Sequence, residues 1–279
     1  MLNILKAIIF GIIEGITEWM PVSSTAHMAI LNMFLPLNVT EEFYEVFEVV
    51  IQLGAVLALL TLFFKKIFPF GASKRPLGKG ILAYVKKDIF YLWIKIVIAC
   101  LPAIIYELFL EDHIKFVTSQ NKMTIIGIAL ILIGFVFLVV EAMTDNSKAA
   151  ITSTAQITYT QALIIGLAQL VAAIFPGVSR SGATIIAGLL LGIKRTTAVE
   201  FTFELAIPVM FGASLMKLVK YSGALGFANL MTLLFGCISA FIVSFFMIYY
   251  VLDYIKKNSF SIFGVYRILL GIIVLMFLR

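Results

Sequence analysis

The sequence predicts an all-α polytopic membrane protein built as an inverted-topology repeat, each half a re-entrant helical hairpin plus three transmembrane helices. Three observations lead there. Of the 279 residues, 62% are hydrophobic and only 13% charged, a balance foreign to soluble domains of this length. Two polar, proline-containing interruptions, residues 11–27 and 166–184, fall at corresponding places in the two halves. Basic residues gather in a few loops between apolar runs, so the positive-inside rule sets an orientation.

In chain order, residues 3–20 and 24–36 are apolar, but the second run is too short to span, so residues 3–36 read as one re-entrant hairpin. Pro21 separates its helices, because the ring removes an N–H and disfavours helical geometry at Met20. Ser23, Ser24 and Thr25 then offer N-caps for the second helix. Glu41, Glu42, Glu45 and Glu48 lead into a span over 43–64. Lys65, Lys66, Lys74, Arg75, Lys79, Lys86 and Lys87, against Asp88 alone, place the following loop in the cytoplasm. Spans 91–110 and 123–141 follow, with the Glu111–Asp112 loop outside and residues 145–153 inside.

This first repeat, residues 1–158, is echoed by residues 159–279. The second repeat holds a hairpin at 160–192 and spans 197–219, 229–252 and 260–278, with Lys194, Arg195, Lys256 and Lys257 inside. Three full crossings per half invert the second half relative to the first. Both termini then lie outside, and the hairpin tips meet near mid-membrane.

Ionisable groups at that depth need partners or work. Glu14 and Glu18 lie four residues apart on one helical face, alongside a Gly11 and Gly15 stripe that another helix can approach. The two acids suit a hard divalent cation or a general base, or serve as partners for Arg180 or Arg267. The second interruption aligns without a gap: Gly11 with Gly166, Glu14 with Gln169, Pro21 with Pro176, Ser24 with Ser179, and Arg180 opposite Thr25. Arg180 between Ser179 and Ser181, near Gly177, Gly182 and Thr184, reads as an oxyanion receptor. His27, in the first turn of its helix, suits acid, base or phosphate contact, whereas His113 falls in an external loop.

Residues 47–55 are echoed by 203–213, which puts Glu48, Gln52, Glu200 and Glu204 at matching places, as structural partners or as site lining. Arg267, in the last span, pairs with an intramembrane acid or lines the site. Cys100 and Cys237 read as free thiols, and no basic, aromatic-interleaved stripe points to nucleic acid. The sum is a mid-membrane receptor for an amphiphile with a phosphorylated head, with groups for hydrolysis beside it. Inverted repeats with broken helices also build secondary transporters, so an anion or lipid-phosphate transporter is the alternative.

EGITEWMPVSSTAH, PGVSRSGATI and FEVVIQLGA resemble the signature motifs of the undecaprenyl-diphosphate phosphatases, or bacitracin resistance proteins, of bacterial cell membranes. The resemblance runs from end to end. It implies hydrolysis of the C55 isoprenyl diphosphate to the monophosphate and inorganic phosphate, which regenerates the lipid carrier of cell-wall synthesis. It further implies a divalent cation, Mg²⁺ or Ca²⁺, a site open to the outer face, membrane lipid as surroundings, and a homodimer as one arrangement open to the chain. By motif position, Glu14 and Glu18 match the acidic pair that would also hold metal, Ser24 the nucleophilic or phosphate-contacting serine, His27 the histidine and Arg180 the arginine. Ser23, Thr25, Ser179, Ser181 and Thr184 match the surrounding phosphate-binding positions.

Overall fold

The structure, a computed structural model, describes residues 2–72, 75–109, 121–223 and 225–278. The expectations for Lys74, Glu111, Asp112 and His113 lie outside the described residues. Among the described residues eleven α-helices follow in order: α1 Leu2–Thr17, α2 Ser24–Phe34, α3 Glu41–Val50, α4 Gln52–Ile67, α5 Lys87–Phe109, α6 Lys122–Met143, α7 Tyr159–Ile174, α8 Arg180–Leu190, α9 Arg195–Lys220, α10 Phe227–Lys257 and α11 Ser261–Phe277.

Among the described residues five units are long and apolar enough to cross a membrane: Glu41–Ile67, α5, α6, α9 and α10. The first of these is α3 and α4 joined at Ile51, whose own backbone stays in the right-handed helical region. The sixth expected span is the shorter α11, 17 residues or about 26 Å of helix. The first hairpin helix stops at Thr17, three residues before the predicted end at residue 20. Proline supplies the reason: Pro21 has no N–H for the Thr17 carbonyl, and its ring crowds that oxygen.

Polar contacts define the two ends of the bundle. At one end Asn3 exchanges hydrogen bonds of 3.0 and 3.1 Å with Asn38, Lys217 pairs with Glu45 at 3.2 Å, and Ser222 donates to Glu42. At the other end Arg195 pairs with Glu141, Lys66 with Glu200 at 3.2 Å, and Trp93 donates to the Ile67 carbonyl at 2.8 Å. The open end of the α1–α2 hairpin lies at the first, and the α7–α8 hairpin starts and finishes at the second, beside Lys95 and Ile151.

Glycines let these helices approach closely. The predicted Gly11 and Gly15 stripe packs on α10, where a Cβ on Gly11 would overlap the Gly236 carbonyl and one on Gly15 would sit 2.9 Å from the Ala240 carbonyl. Between α6 and α11, a Cβ on Gly134 would lie 2.7 Å from the Gly264 oxygen, and one on Gly271 2.7 Å from the Gly127 oxygen. In lipid no solvent pushes helices together, so such backbone contact supplies much of the association. Gly134→Val is therefore expected to lower the thermal unfolding midpoint in detergent, costing about 1–3 kcal/mol from overpacking. Gly212, with open space around its Cβ direction, takes alanine without loss. Equal midpoints for the two variants would refute the close α6–α11 approach.

Candidate active site

Helices α2 and α8 begin on the same device. Ser23 has φ 74° and its hydroxyl accepts the Ala26 N–H at 3.3 Å; Ser179 has φ 73° and accepts the Gly182 N–H at 3.2 Å. Among the described residues these two are the only non-glycine residues with positive φ. A left-handed serine costs about 1–3 kcal/mol and persists where its surroundings over-determine it.

The shared geometry corrects the gapless alignment. Ser23, not Ser24, is the counterpart of Ser179, so Ser24 corresponds to Arg180 and Thr25 to Ser181. The second turn has one more residue between proline and cap, accommodated by Gly177 at φ 94°. Counting residues misses this, because the equivalent points are the caps.

Arg267 of α11 holds the two turns together. It is fully buried, and donates to the Pro21 carbonyl at 3.0 Å and to those of Gly177 and Val178 at 2.7 and 2.9 Å. Neither expected role, pairing with an acid or lining the site, is what the structure shows. Its partners are three backbone oxygens freed where the hairpins break, which an apolar medium would otherwise leave unsatisfied.

Between the turns lies a cavity of about 140 Å³, lined by Glu18, Ser23, Ser24 and Thr25 from one side and Ser179, Arg180 and Ser181 from the other. Arg180 Nη2 lies 2.5 Å from Glu18 Oε1, and the Ser24 hydroxyl donates to Glu18 Oε2 at 2.7 Å. Glu18 is thus gripped on both oxygens, by a guanidinium and a hydroxyl from opposite hairpins. The N–H groups of Ser24, Thr25, Arg180 and Ser181 occupy first helical turns, which have no intrahelical acceptors. Two helix N-termini and an arginine make this cavity strongly receptive to an anion.

Other predicted residues fall around it. Thr184 sits behind Arg180, donating to its carbonyl at 3.0 Å while accepting from Thr202 at 2.9 Å, so it braces the second turn and does not line the cavity. His27 is not brought to the cavity either. Its Nδ1 is 2.7 Å from the Ser23 carbonyl, which can only accept, so Nδ1 carries the proton and Nε2 accepts from the Tyr266 hydroxyl at 2.6 Å. It faces a separate apolar groove with Tyr250 and Tyr254. Glu200 pairs at the surface with Lys66, and Cys100 and Cys237 are free thiols.

Gln52 does line the cavity, and its place in the echoed motif was the signal for it. Sequence reasoning missed Tyr266 and Met210, the latter 3.5 Å from Arg180 Nη2. A tyrosine or methionine in an apolar span carries no distinguishing pattern.

Glu14 lies one helical turn from Glu18, fully buried, and among the described residues neither carboxylate oxygen has a hydrogen-bond partner. Orphaned oxygens of this kind fit a hard cation, with Glu18 on the same helix face as the second ligand. Among the described residues no group of three His, Cys, Asp or Glu has metal-holding geometry, so further ligands would be water or substrate oxygens.

A model of the family described as bacitracin resistance protein BacA matches residues 7–273. This chain belongs to the BacA family. Relatives named undecaprenyl-diphosphatase support the assignment along nearly the whole chain. One from Clostridium acetobutylicum, undecaprenyl-diphosphatase 1, is 49% identical over 276 residues, covering 99% of this chain and 97% of the relative. A second, from Desulfitobacterium hafniense, is 48% identical, covering 99% and 96%. A third, from Enterococcus faecalis, is 46% identical, covering 99% and 97%. The BacA chain is accordingly a multi-pass membrane protein with bacterial relatives.

The Arg267 clamp is open to test in this BacA protein. Arg267→Met keeps much of the volume but strips three buried carbonyls of their donor, so stability should fall by about 3–5 kcal/mol. Tyr266→Phe removes a single hydrogen bond, worth about 1 kcal/mol. Thermal midpoints in detergent that fall equally for both would contradict the clamp.

Proposed function

We propose that this chain is an integral membrane phosphatase that hydrolyses undecaprenyl diphosphate to undecaprenyl phosphate and inorganic phosphate. Family membership and the names of the relatives support the reaction. Release of the monophosphate returns the lipid carrier to cell-wall synthesis and removes the form that bacitracin sequesters. The observation that carries the site assignment is the Ser24–Glu18–Arg180 chain, facing an anion-receptive cavity between two helix starts.

Ser24 and Glu18 stand as nucleophile and base, at hydrogen-bond distance before any substrate enters. Arg180 and the first-turn N–H groups of α2 and α8 take the oxygens of the terminal phosphate, and Ser23, Thr25, Ser179 and Ser181 add hydroxyls. As Ser24 Oγ attacks the terminal phosphorus its proton passes to Glu18. The bond from that phosphorus to the bridging oxygen breaks, and undecaprenyl phosphate leaves. Glu18 hands the proton to the departing bridging oxygen and is then free to deprotonate water, which attacks the phosphoserine. The phosphorus–Oγ bond breaks, Ser24 Oγ takes the proton back from Glu18, and inorganic phosphate is released. Glu14 and Glu18 would hold a divalent cation, which would supply charge neutralisation on the diphosphate. His27 acts through the Ser23 carbonyl, fixing the turn that presents Ser24.

The inverted repeat belongs to the same reading. Gly11 of α1 packs on α10, and Gly166, its counterpart on α7, packs on α5. That exchange of partners is what a two-fold relation between residues 1–158 and 159–279 requires, with α6 and α11 meeting as counterparts. With the basic end in the cytoplasm, the first hairpin enters from outside and the second from inside, and the family resemblance implies a cavity open to the outer face. The transporter alternative would use Glu14 and Glu18 as coupling-ion ligands but leaves the Ser24–Glu18 contact without a role.

Inorganic phosphate release from a long-chain isoprenyl diphosphate by purified protein in detergent tests this. Chelator should abolish release, and Glu18→Gln, Ser24→Ala and Arg180→Ala should each lower it at least about 100-fold. Folded protein that binds the lipid without releasing phosphate would move the assignment to a carrier.

A further inference from the structure

Away from the catalytic cavity, a pocket of about 550 Å³ lies at the basic end of the bundle, between the start of α5 and residues 155–159. Lys87, Tyr91 and Lys95 form its α5 wall, four residues apart and so on one helical face. Thr158 and Tyr159, the cap and first residue of α7, form the opposite wall. Thr158 and Gln161 cap one another reciprocally, which leaves the N–H groups of Tyr159 and Thr160 without intrahelical acceptors.

Lys95 is the unusual member. It is only 6% exposed, and its ammonium donates to the Thr154 carbonyl at 3.3 Å and the Ala155 carbonyl at 2.7 Å. Among the described residues one of its three N–H bonds has no acceptor. Among the described residues no carboxylate pairs with it or with Lys87; Asp88, at the pocket mouth, faces Arg75 at 3.9 Å. Asp88 and Glu204 act on Lys95 only at a distance; among the described residues neither carboxylate bonds its ammonium, and carbonyl dipoles do not neutralise a cation. The wall thus lacks an anion in direct contact with Lys95.

We propose that this pocket binds the phosphate group of an anionic membrane phospholipid. Lys95 and the α7 N–H groups hold the phosphate oxygens, with Lys87 at the rim. The surroundings select a lipid over free phosphate. Tyr91 and Tyr159 stand half-exposed at the boundary, where amphipathic rings flank headgroups. Beyond them Val97, Leu101, Leu163 and Leu167 continue along α5 and α7 as exposed apolar surface for acyl chains. The inference rests on the membrane reading and is independent of the phosphatase reaction.

Native mass spectrometry of the full chain, supplied with phosphatidylglycerol or phosphatidylcholine, decides it. The parent protein should retain one phosphatidylglycerol about tenfold more tightly than phosphatidylcholine. Lys95→Met should erase that preference, and Lys87→Gln should reduce it about fivefold. Lys257→Gln, a basic residue at the same end but outside the pocket, should leave it unchanged. No preference in the parent, or a preference that Lys87→Gln leaves unchanged, overturns the proposal, and the exposed Lys87 decides even if Lys95→Met fails to fold. Displacement of the bound lipid by millimolar inorganic phosphate would instead assign a free-phosphate site.

Discussion

Three hydrogen bonds from one buried guanidinium hold this molecule's centre together. Arg267 reaches from α11 to the Pro21 carbonyl of one broken hairpin and to the Gly177 and Val178 carbonyls of the other. A helix interrupted inside an apolar medium leaves backbone oxygens that water cannot reach, and a five-donor fork suits several of them at once. The same bonds fix the distance between Ser24 and Arg180, which belong to different hairpins. Structure and chemistry therefore share one constraint, although Arg267 does not line the cavity.

Around that clamp, charge is arranged so that the cavity favours an anion before one arrives. Among the described residues Glu18 is the single acid lining it, set against Arg180 and two helix starts. In the proposed reaction an incoming phosphate would take over the guanidinium from Glu18, which would free that carboxylate to receive the Ser24 proton. The ion pair at 2.5 Å would then be the resting arrangement of the two groups. Keeping two serines at positive φ has an energetic cost, and it aims both sets of first-turn N–H groups into one small space.

Close backbone contact supplies the rigidity such a site needs. Gly127 and Gly134 face Gly271 and Gly264, so α11 is seated firmly on α6 and Arg267 has little freedom to drift. Gly11 and Gly15 seat α1 on α10 in the same manner, which fixes Glu18 one turn beyond Glu14.

The sequence by itself determined the membrane class, the two broken hairpins, the glycine stripe on α1 and the polar residues that gather at the breaks. These follow from local rules: apolar run length, proline's missing N–H, serine's capping hydroxyl and helical periodicity. The pairing of Glu18 with Arg180 was open as one of several roles, because 162 residues separate them and no local rule spans that distance. Only the tertiary structure decided that Ser23 is the cap equivalent to Ser179, since equivalence lies in backbone angles that a residue count does not see. It also turned His27 toward Tyr266, moved Thr184 behind Arg180 and set Arg267 on three carbonyls. Each of these depends on which helix packs beside which, and that is settled by long-range contact and not by neighbours along the chain.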